Sequence, residues 1–195
     1  MLVITGPGRS GTSAITLWLK KCGLITYPTQ WVDQLNSGLE PSNVNRVNSA
    51  IWIGNDAPMQ SIPAQMEAIE KIDYKIIKDP KFFYGNVLGT WLDKRKDLTF
   101  LICMRKFSNV HKSRIRVNQL NQVRTPEQLA CDFGKFLSKL IFNQIDYEII
   151  CYPNFLEQHE LVYNKIKTLY PEIKLDFDKS KKAWEETMDK SMVHF

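Results

Sequence analysis

The sequence predicts an α/β fold in which a mostly parallel central sheet is flanked by helices. Four short apolar runs have the composition of buried strands: Leu2–Thr5, Tyr74–Lys78, Leu98–Met104 and Tyr147–Cys151. Segments with a helical spacing of apolar residues lie between these runs, and such alternation is typical of a parallel sheet. Ligands of such sheets bind at the carboxyl ends of the strands, so we expect the functional residues directly after the four runs.

Helices are predicted wherever apolar residues recur at the spacing of one helix face. In chain order the predicted ranges are Ser13–Cys22, a segment that begins at Pro41, residues 82–94, residues 109–118, a helix that begins after Thr125, Phe155–Leu169 and Lys181–Lys190. The helix after Thr125 has the clearest signals, because Thr125 suits the N-cap, Pro126 the first helical position, and Gln128 completes a capping box. The face that we expect to pack on the core is Leu129, Phe133, Phe136, Leu137, Leu140 and Ile141.

The composition fits one compact domain over residues 1–195, with 44% hydrophobic and 24% charged residues. The net charge of +5 favours anionic ligands, although no block of lysine and arginine is dense enough to indicate nucleic acid. No apolar run is long enough to span a membrane. The chain passes from Met1 directly into LVIT, which is too short for a signal peptide.

The four cysteines lack the spacing of a metal site. Cys103 and Cys151 lie in apolar runs, where cysteine behaves as a small buried hydrophobic residue. Together with the N-terminus, this usage predicts a reduced, cytoplasmic protein.

A glycine-rich segment, GPGRSGTS, follows the first predicted strand and precedes a helix. Gly6 and Gly11 enclose four residues, as in a phosphate-binding loop, but Thr12 stands where that loop has its lysine. Glycines let successive N–H groups point inward, and the helix N-terminus adds a partial positive charge. Ser10, Thr12 and Ser13 add hydroxyl groups and Arg9 adds a full charge, so the segment predicts an anion site.

A second anion site is predicted after the third strand. Arg105 follows the strand directly, and Ser113 lies eight residues later within a predicted helix. An arginine makes bidentate charge-assisted hydrogen bonds to a phosphate, and a serine adds a further donor.

These two segments resemble those of sulfotransferases that use 3′-phosphoadenosine-5′-phosphosulfate (PAPS), and the resemblance covers about the first 155 residues in pieces. It implies a P-loop-like three-layer domain that transfers a sulfuryl group from PAPS to a hydroxyl or amine by in-line displacement. It also implies that no metal is required and that the acceptor is a small molecule, a carbohydrate or a lipid. The resemblance assigns Arg105 and Ser113 to the 3′-phosphate, and it assigns to the 5′-phosphosulfate Gly8, Arg9, Ser10, Gly11, Thr12 and Ser13.

The segment after the second strand, Lys78-Asp79-Pro80, departs from the Lys-Thr-His triplet of many sulfotransferases. Pro80 stands where their histidine would align, so a carboxylate is expected to take the acceptor's proton. Glu40 before the predicted Pro41 helix is the preferred base, and Asp79 is the reserve. Lys78 is expected to stabilise the bridging oxygen, together with Arg9. A simple surface pair of Lys78 with Asp79 is the alternative.

The segment after the fourth strand resembles the family only loosely. Tyr152 is interpreted either as an adenine contact or as a packing residue. In the C-terminal segment, Lys179, Lys181 and Lys182 either close over the 3′-phosphate or form a solvated helix end.

Two other functions fit the same residues. In a P-loop kinase-like phosphotransferase, Ser13 and Asp79 would serve a magnesium ion. In a non-catalytic nucleotide-binding protein the fold would persist without turnover, because a fold alone does not establish activity.

Overall fold

A computed structural model describes residues 1–25, 67–84, 87–116 and 123–188. The strands are β1 (Leu2–Thr5), β2 (Ile76–Lys78), β3 (Thr99–Met104) and β4 (Tyr147–Cys151). They form one sheet in the order β2-β1-β3-β4, and every pair of neighbours is parallel. The predicted α/β class with a parallel sheet flanked by helices is therefore confirmed.

Six α-helices and two short 3-10 helices have both bounds in the described ranges, and residues 67–70 are helical as well. The α-helices are α1 (Thr12–Lys21), α2 (Val87–Leu92), α3 (Phe107–Arg116), α4 (Pro126–Phe142), α5 (His159–Leu169) and α6 (Phe177–Glu185). The 3-10 helices are Pro80–Phe83 and Asn154–Glu157. The helix predicted to begin at Pro41 lies outside the described residues.

The two central strands form the middle of the core. Leu2, Val3 and Ile4 of β1 have no exposed surface, and Phe100 to Cys103 of β3 have none either. A strand that is covered on both faces needs a continuous apolar run, which is what the sequence shows at both places. Each fully buried aliphatic side chain contributes about 1.5–3 kcal/mol to folding.

The strand order places a topological switch point beside β1. From β1 the chain continues to β2 on one side, and it then returns to β3 on the other side. The loops after β1 and β3 therefore lead away in different directions, and this is the place where ligands of such sheets bind. The hydroxyl of Thr5 at the end of β1 donates to the Asp79 carbonyl at 3.0 Å, which ties the second junction to the same edge.

Helix α4 begins as predicted. Thr125 is the N-cap, Pro126 opens the helix, and both hydrogen bonds of the capping box with Gln128 are present. Leu129, Phe136 and Leu140 are buried, and Phe133 and Leu137 are partly buried. The prediction was wrong for Ile141, which is 63% exposed because the helix has turned this position away from the core in its last turn.

The C-terminal part differs in detail from the prediction. The segment predicted as one helix from Phe155 is a 3-10 turn followed by α5. Helix α6 begins earlier than expected, since the carboxylate of Asp176 caps it by accepting from the Lys179 N–H at 2.8 Å. Cys103 is buried as predicted, but Cys151 is exposed, because it ends β4 at one edge of the described sheet.

Candidate functional site

The segment between β1 and α1 is a tight loop whose backbone needs glycine at two places. Gly6 has φ 149° and Gly11 has φ 91°, in the region that side chains disfavour. A Cβ atom on Gly6 would lie 2.1 Å from the Cys103 carbonyl oxygen. Arg9 also has a positive φ, 72°, which is uncommon for a residue with a side chain. The loop thus lies directly against the end of β3, and Gly11 forms the N-cap of α1.

The interior of this loop holds a polar atom that the fold does not satisfy. The Ser10 side chain is fully buried, and among the described residues its hydroxyl has no hydrogen-bond partner. A buried hydroxyl without a partner costs about 1–3 kcal/mol, so such a group indicates a missing ligand or water. It lies at the N-terminus of the ten-residue helix α1, where backbone N–H groups and the helix dipole favour an anion. These two features fit a bound phosphate or phosphosulfate.

Arg9, Ser113 and Arg105 join the loop to the β3 junction. The Nε of Arg9 donates to the Ser113 hydroxyl at 3.3 Å, and an Nη of Arg105 donates to the Arg9 carbonyl at 3.3 Å. Ser113 was predicted to act beside Arg105, and the structure brings all three residues together. Because a hydroxyl both accepts and donates, Ser113 keeps a hydrogen for a phosphate while it accepts from Arg9.

The site concentrates positive charge in partly desolvated surroundings. Burial lowers the pKa of Arg9, the phenol of Tyr152 raises it, and the neighbouring cation Arg114 lowers it further. The pKa of Arg105 is likewise lowered by burial, raised by Tyr152 and lowered by the charge of Arg9. Both guanidinium groups stay charged, since an arginine does not lose its proton in proteins. A bound anion would offset the cost of desolvation and reduce the repulsion between the two cations.

A lysine reaches the loop from the neighbouring strand. Lys78 ends β2, is 2% exposed, and its Nζ lies 3.3 Å from the Ser13 hydroxyl, to which it donates. Ser13 belongs to the first turn of α1, directly after Thr12, which occupies the lysine position of the usual loop. A cation from β2 therefore lies beside the loop whose own sequence lacks the lysine. A solvated surface pair of Lys78 with Asp79 does not describe this buried position.

Asp79 has a structural task at the same edge. It is fully buried, and its Oδ1 accepts from the Lys81 N–H at 2.8 Å, which caps the Pro80–Phe83 turn. Its backbone N–H donates to the Ile4 carbonyl at 3.2 Å. These bonds fix the end of β2 and thereby the position of Lys78. Glu40, the preferred base, lies outside the described residues.

Aromatic residues after β4 form one wall of the site. The guanidinium of Arg105 lies over the Tyr152 ring, with Cζ 5.2 Å from the ring centroid. The rings of Tyr152 and Phe155 meet edge to face at 5.6 Å, and both lie against Gly11. Tyr152 thus packs on an arginine and on the loop, as its interpretation as a packing residue predicts, while the adenine contact stays a prediction.

Tyr84 and Arg114 also contact the loop, although neither is among the predicted site residues. The Tyr84 hydroxyl accepts from the Gly8 N–H at 3.3 Å and from Arg114 Nη2 at 2.6 Å. The Arg114 side chain is buried and comes close to Gly8, since a Cβ there would lie 2.9 Å from its Nη2. The signal that could have found Arg114 is its place in the chain, directly after Ser113.

No family model, curated protein or solved structure is significantly similar to this chain. Within the described ranges, no helix combines the length and the apolar character that crossing a membrane requires. In the same ranges, no three His, Cys, Asp or Glu side chains gather as a metal ion would need. Function is therefore inferred from the site itself.

Proposed function

We propose that this chain transfers a sulfuryl group from PAPS to a hydroxyl or amine acceptor. The observation that carries the proposal is the pair of hydrogen bonds from Arg9 to Ser113 and from Arg105 to the Arg9 carbonyl. They couple a helix N-terminal anion site to a separate arginine–serine site across the switch point. Two anion sites that adjoin an aromatic wall suit a nucleotide with phosphate groups at both its 3′ and 5′ positions.

Each side chain then has a defined task. The loop from Gly8 to Ser13 would bind the 5′-phosphosulfate through backbone N–H groups and the Ser10 hydroxyl. Arg105 and Ser113 would bind the 3′-phosphate, and Tyr152 would lie beside the base. As the acceptor oxygen or nitrogen attacks sulfur, the sulfur–oxygen bond to the 5′-phosphate breaks and adenosine 3′,5′-bisphosphate leaves. Lys78 would stabilise the negative charge that develops on the bridging oxygen, with Arg9 beside the same phosphosulfate.

The acceptor's proton needs a base. Asp79 is buried and its carboxylate caps the following turn, which suits a residue that positions Lys78. Glu40 therefore remains the proposed base, on the sequence alone. A base that takes this proton contributes about 10²–10⁴-fold in rate, so Glu40→Gln should lose that much turnover with its nucleotide affinity intact.

The kinase-like alternative is less well supported. It requires the Ser13 hydroxyl and the Asp79 carboxylate on a magnesium ion. In the structure Ser13 accepts from the ammonium group of Lys78, and Asp79 accepts from the Lys81 N–H.

Ligand protection against heating and an assay of turnover together separate the three functions. A sulfotransferase should be stabilised by adenosine 3′,5′-bisphosphate and much less by ATP with magnesium, because ATP lacks a 3′-phosphate for Arg105. At a concentration of 100 times Kd the stabilisation is about 2.7 kcal/mol. The reverse order would support the kinase. Release of the bisphosphate from PAPS in the presence of hydroxyl and amine acceptors would exclude a purely binding role.

A further inference from the structure

A feature that the proposed chemistry does not use is the close packing of two rings on Gly11. A Cβ atom at Gly11 would lie 2.7 Å from Phe155 Cζ and 2.7 Å from Tyr152 Cδ2, so both rings touch the backbone there. Gly11 is the N-cap of α1, and its conformation sets where the first N–H groups of the helix point. The two rings therefore pack directly on the residue that precedes the N–H groups expected to bind the 5′-phosphate.

Phe155 is in turn held by the C-terminal helix. Its ring is 1% exposed and lies 6.3 Å from the Trp184 ring, centroid to centroid. The indole N–H of Trp184 donates to the Leu156 carbonyl at 3.0 Å, which fixes the backbone next to Phe155. Trp184 also packs edge to face on Trp18 of α1 at 4.8 Å. A continuous set of packed side chains thus leads from α6 to the loop.

We propose that Phe155 is a positioning residue for the anion-binding loop and that α6 supports it through Trp184. The inference rests on the proposed function, because it takes the loop as the site of the 5′-phosphate. Phe155 itself touches the loop backbone and takes no part in the bond changes. Coupling between sites is reciprocal, so nucleotide binding must also stabilise the docking of α6.

The test compares two buried phenylalanines. Phe155→Leu keeps an apolar side chain but removes the ring that lies on Gly11. The matched control is Phe136→Leu, since Phe136 is 3% exposed and packs its ring on Phe83 and Phe100. Both variants should lose similar thermal stability. The affinity for adenosine 3′,5′-bisphosphate, measured at a temperature where each variant is folded, should fall roughly 3- to 30-fold in Phe155→Leu alone. Equal affinity in both variants would overturn the proposal.

A measurement on the unmodified protein covers the case in which Phe155→Leu does not fold. Hydrogen exchange of the α6 amides should slow on addition of the bisphosphate by more than exchange in α4 does. Equal slowing in the two helices would contradict the coupling. If the unmodified protein does not bind the bisphosphate, the proposed function fails. If it binds and α6 does not respond, only the role of Phe155 and α6 fails.

Discussion

Two groups of buried polar residues in this molecule behave in opposite ways. The first surrounds the loop after β1 and contains the buried Lys78, Arg105 and Arg114 and the half-buried Arg9. The second surrounds His159 at the C-terminal end, where the imidazole is 8% exposed among aromatic rings. Both are enclosed by aromatic side chains, yet one concentrates charge of a single sign and the other holds a neutral pair.

The His159 group satisfies itself. Ser180 Oγ donates to the Phe177 carbonyl at 2.8 Å, so it must accept from His159 Nε2, 2.9 Å away, which fixes the tautomer. In the loop group, burial and a neighbouring arginine lower the pKa values of Arg9 and Arg105, and among the described residues the buried Ser10 hydroxyl has no hydrogen-bond partner. Burial alone therefore does not mark a site. A group of buried charges of one sign indicates a binding site, because a ligand of the opposite sign would compensate for the cost of burying those charges.

The largest expected effect is on folding, in the aromatic group. Trp184 is 4% exposed and packs on Trp18, His159 and Phe155. Trp184→Ala should lower the free energy of unfolding by about 3–5 kcal/mol, because it removes a large buried side chain and leaves a cavity. Urea unfolding measures this. Phe142→Ala, at a position that is 86% exposed, should change the same quantity by less than about 0.5 kcal/mol.

Next in size is the effect of removing a buried cation from the loop group. Lys78→Met keeps the length of the side chain and removes its charge. We expect turnover to fall about 10²–10³-fold, as it does when one stabilising donor is lost from an active site, with little change in the free energy of unfolding. The rate is measured as bisphosphate release from PAPS with an acceptor. Normal turnover in Lys78→Met would contradict a catalytic role for Lys78 and indicate that this residue only stabilises the fold.

Arg105→Ala should act on binding rather than on folding. Hydrogen bonds to a charged group contribute about 1.5–3 kcal/mol, so calorimetry should show that loss in the affinity for adenosine 3′,5′-bisphosphate. Arg116→Ala is the control, because Arg116 is exposed at the C-terminal end of α3, the helix that follows Arg105. Unchanged affinity in Arg105→Ala would mean that Arg105 does not bind the nucleotide. The loop group would then show no more sign of a ligand than the His159 group does.

The two groups also differ in how far the sequence could predict them. The β1 loop and Arg105 follow apolar strands directly, so a local pattern places them at one edge of the sheet. The hydrogen bond between Arg9 and Ser113 depends on how α3 packs against the loop, and a local sequence pattern does not predict such packing. Tyr84 and Arg114 were missed for the same reason. The start of α6 was placed too late because its N-cap, Asp176, precedes few apolar residues.

The smallest expected effect is the response of the His159 group to pH. Burial lowers the pKa of His159 from its usual 6.5, and Lys181 lowers it further, while Glu185 and Glu160 oppose this. Tyr163 is the other titratable ring in contact with it.

As the pH falls below about 6.5, an unfolded chain binds a proton at this histidine that the folded chain still excludes. The unfolded state then binds more protons, so the free energy of unfolding decreases, by at most about 1.4 kcal/mol for each pH unit until the folded-state pKa is reached.

Denaturant unfolding at pH 7.5 and pH 5.5 should show a steeper loss of stability for the unmodified protein than for His159→Gln, whose amide keeps a donor for Ser180. His111→Gln should retain the full pH response, because His111 lies outside this group, near the Arg124 carbonyl. If His159→Gln and the unmodified protein lost stability in parallel, the neutral state of the buried imidazole would make no contribution. The contrast with the loop group would then rest on its cations alone.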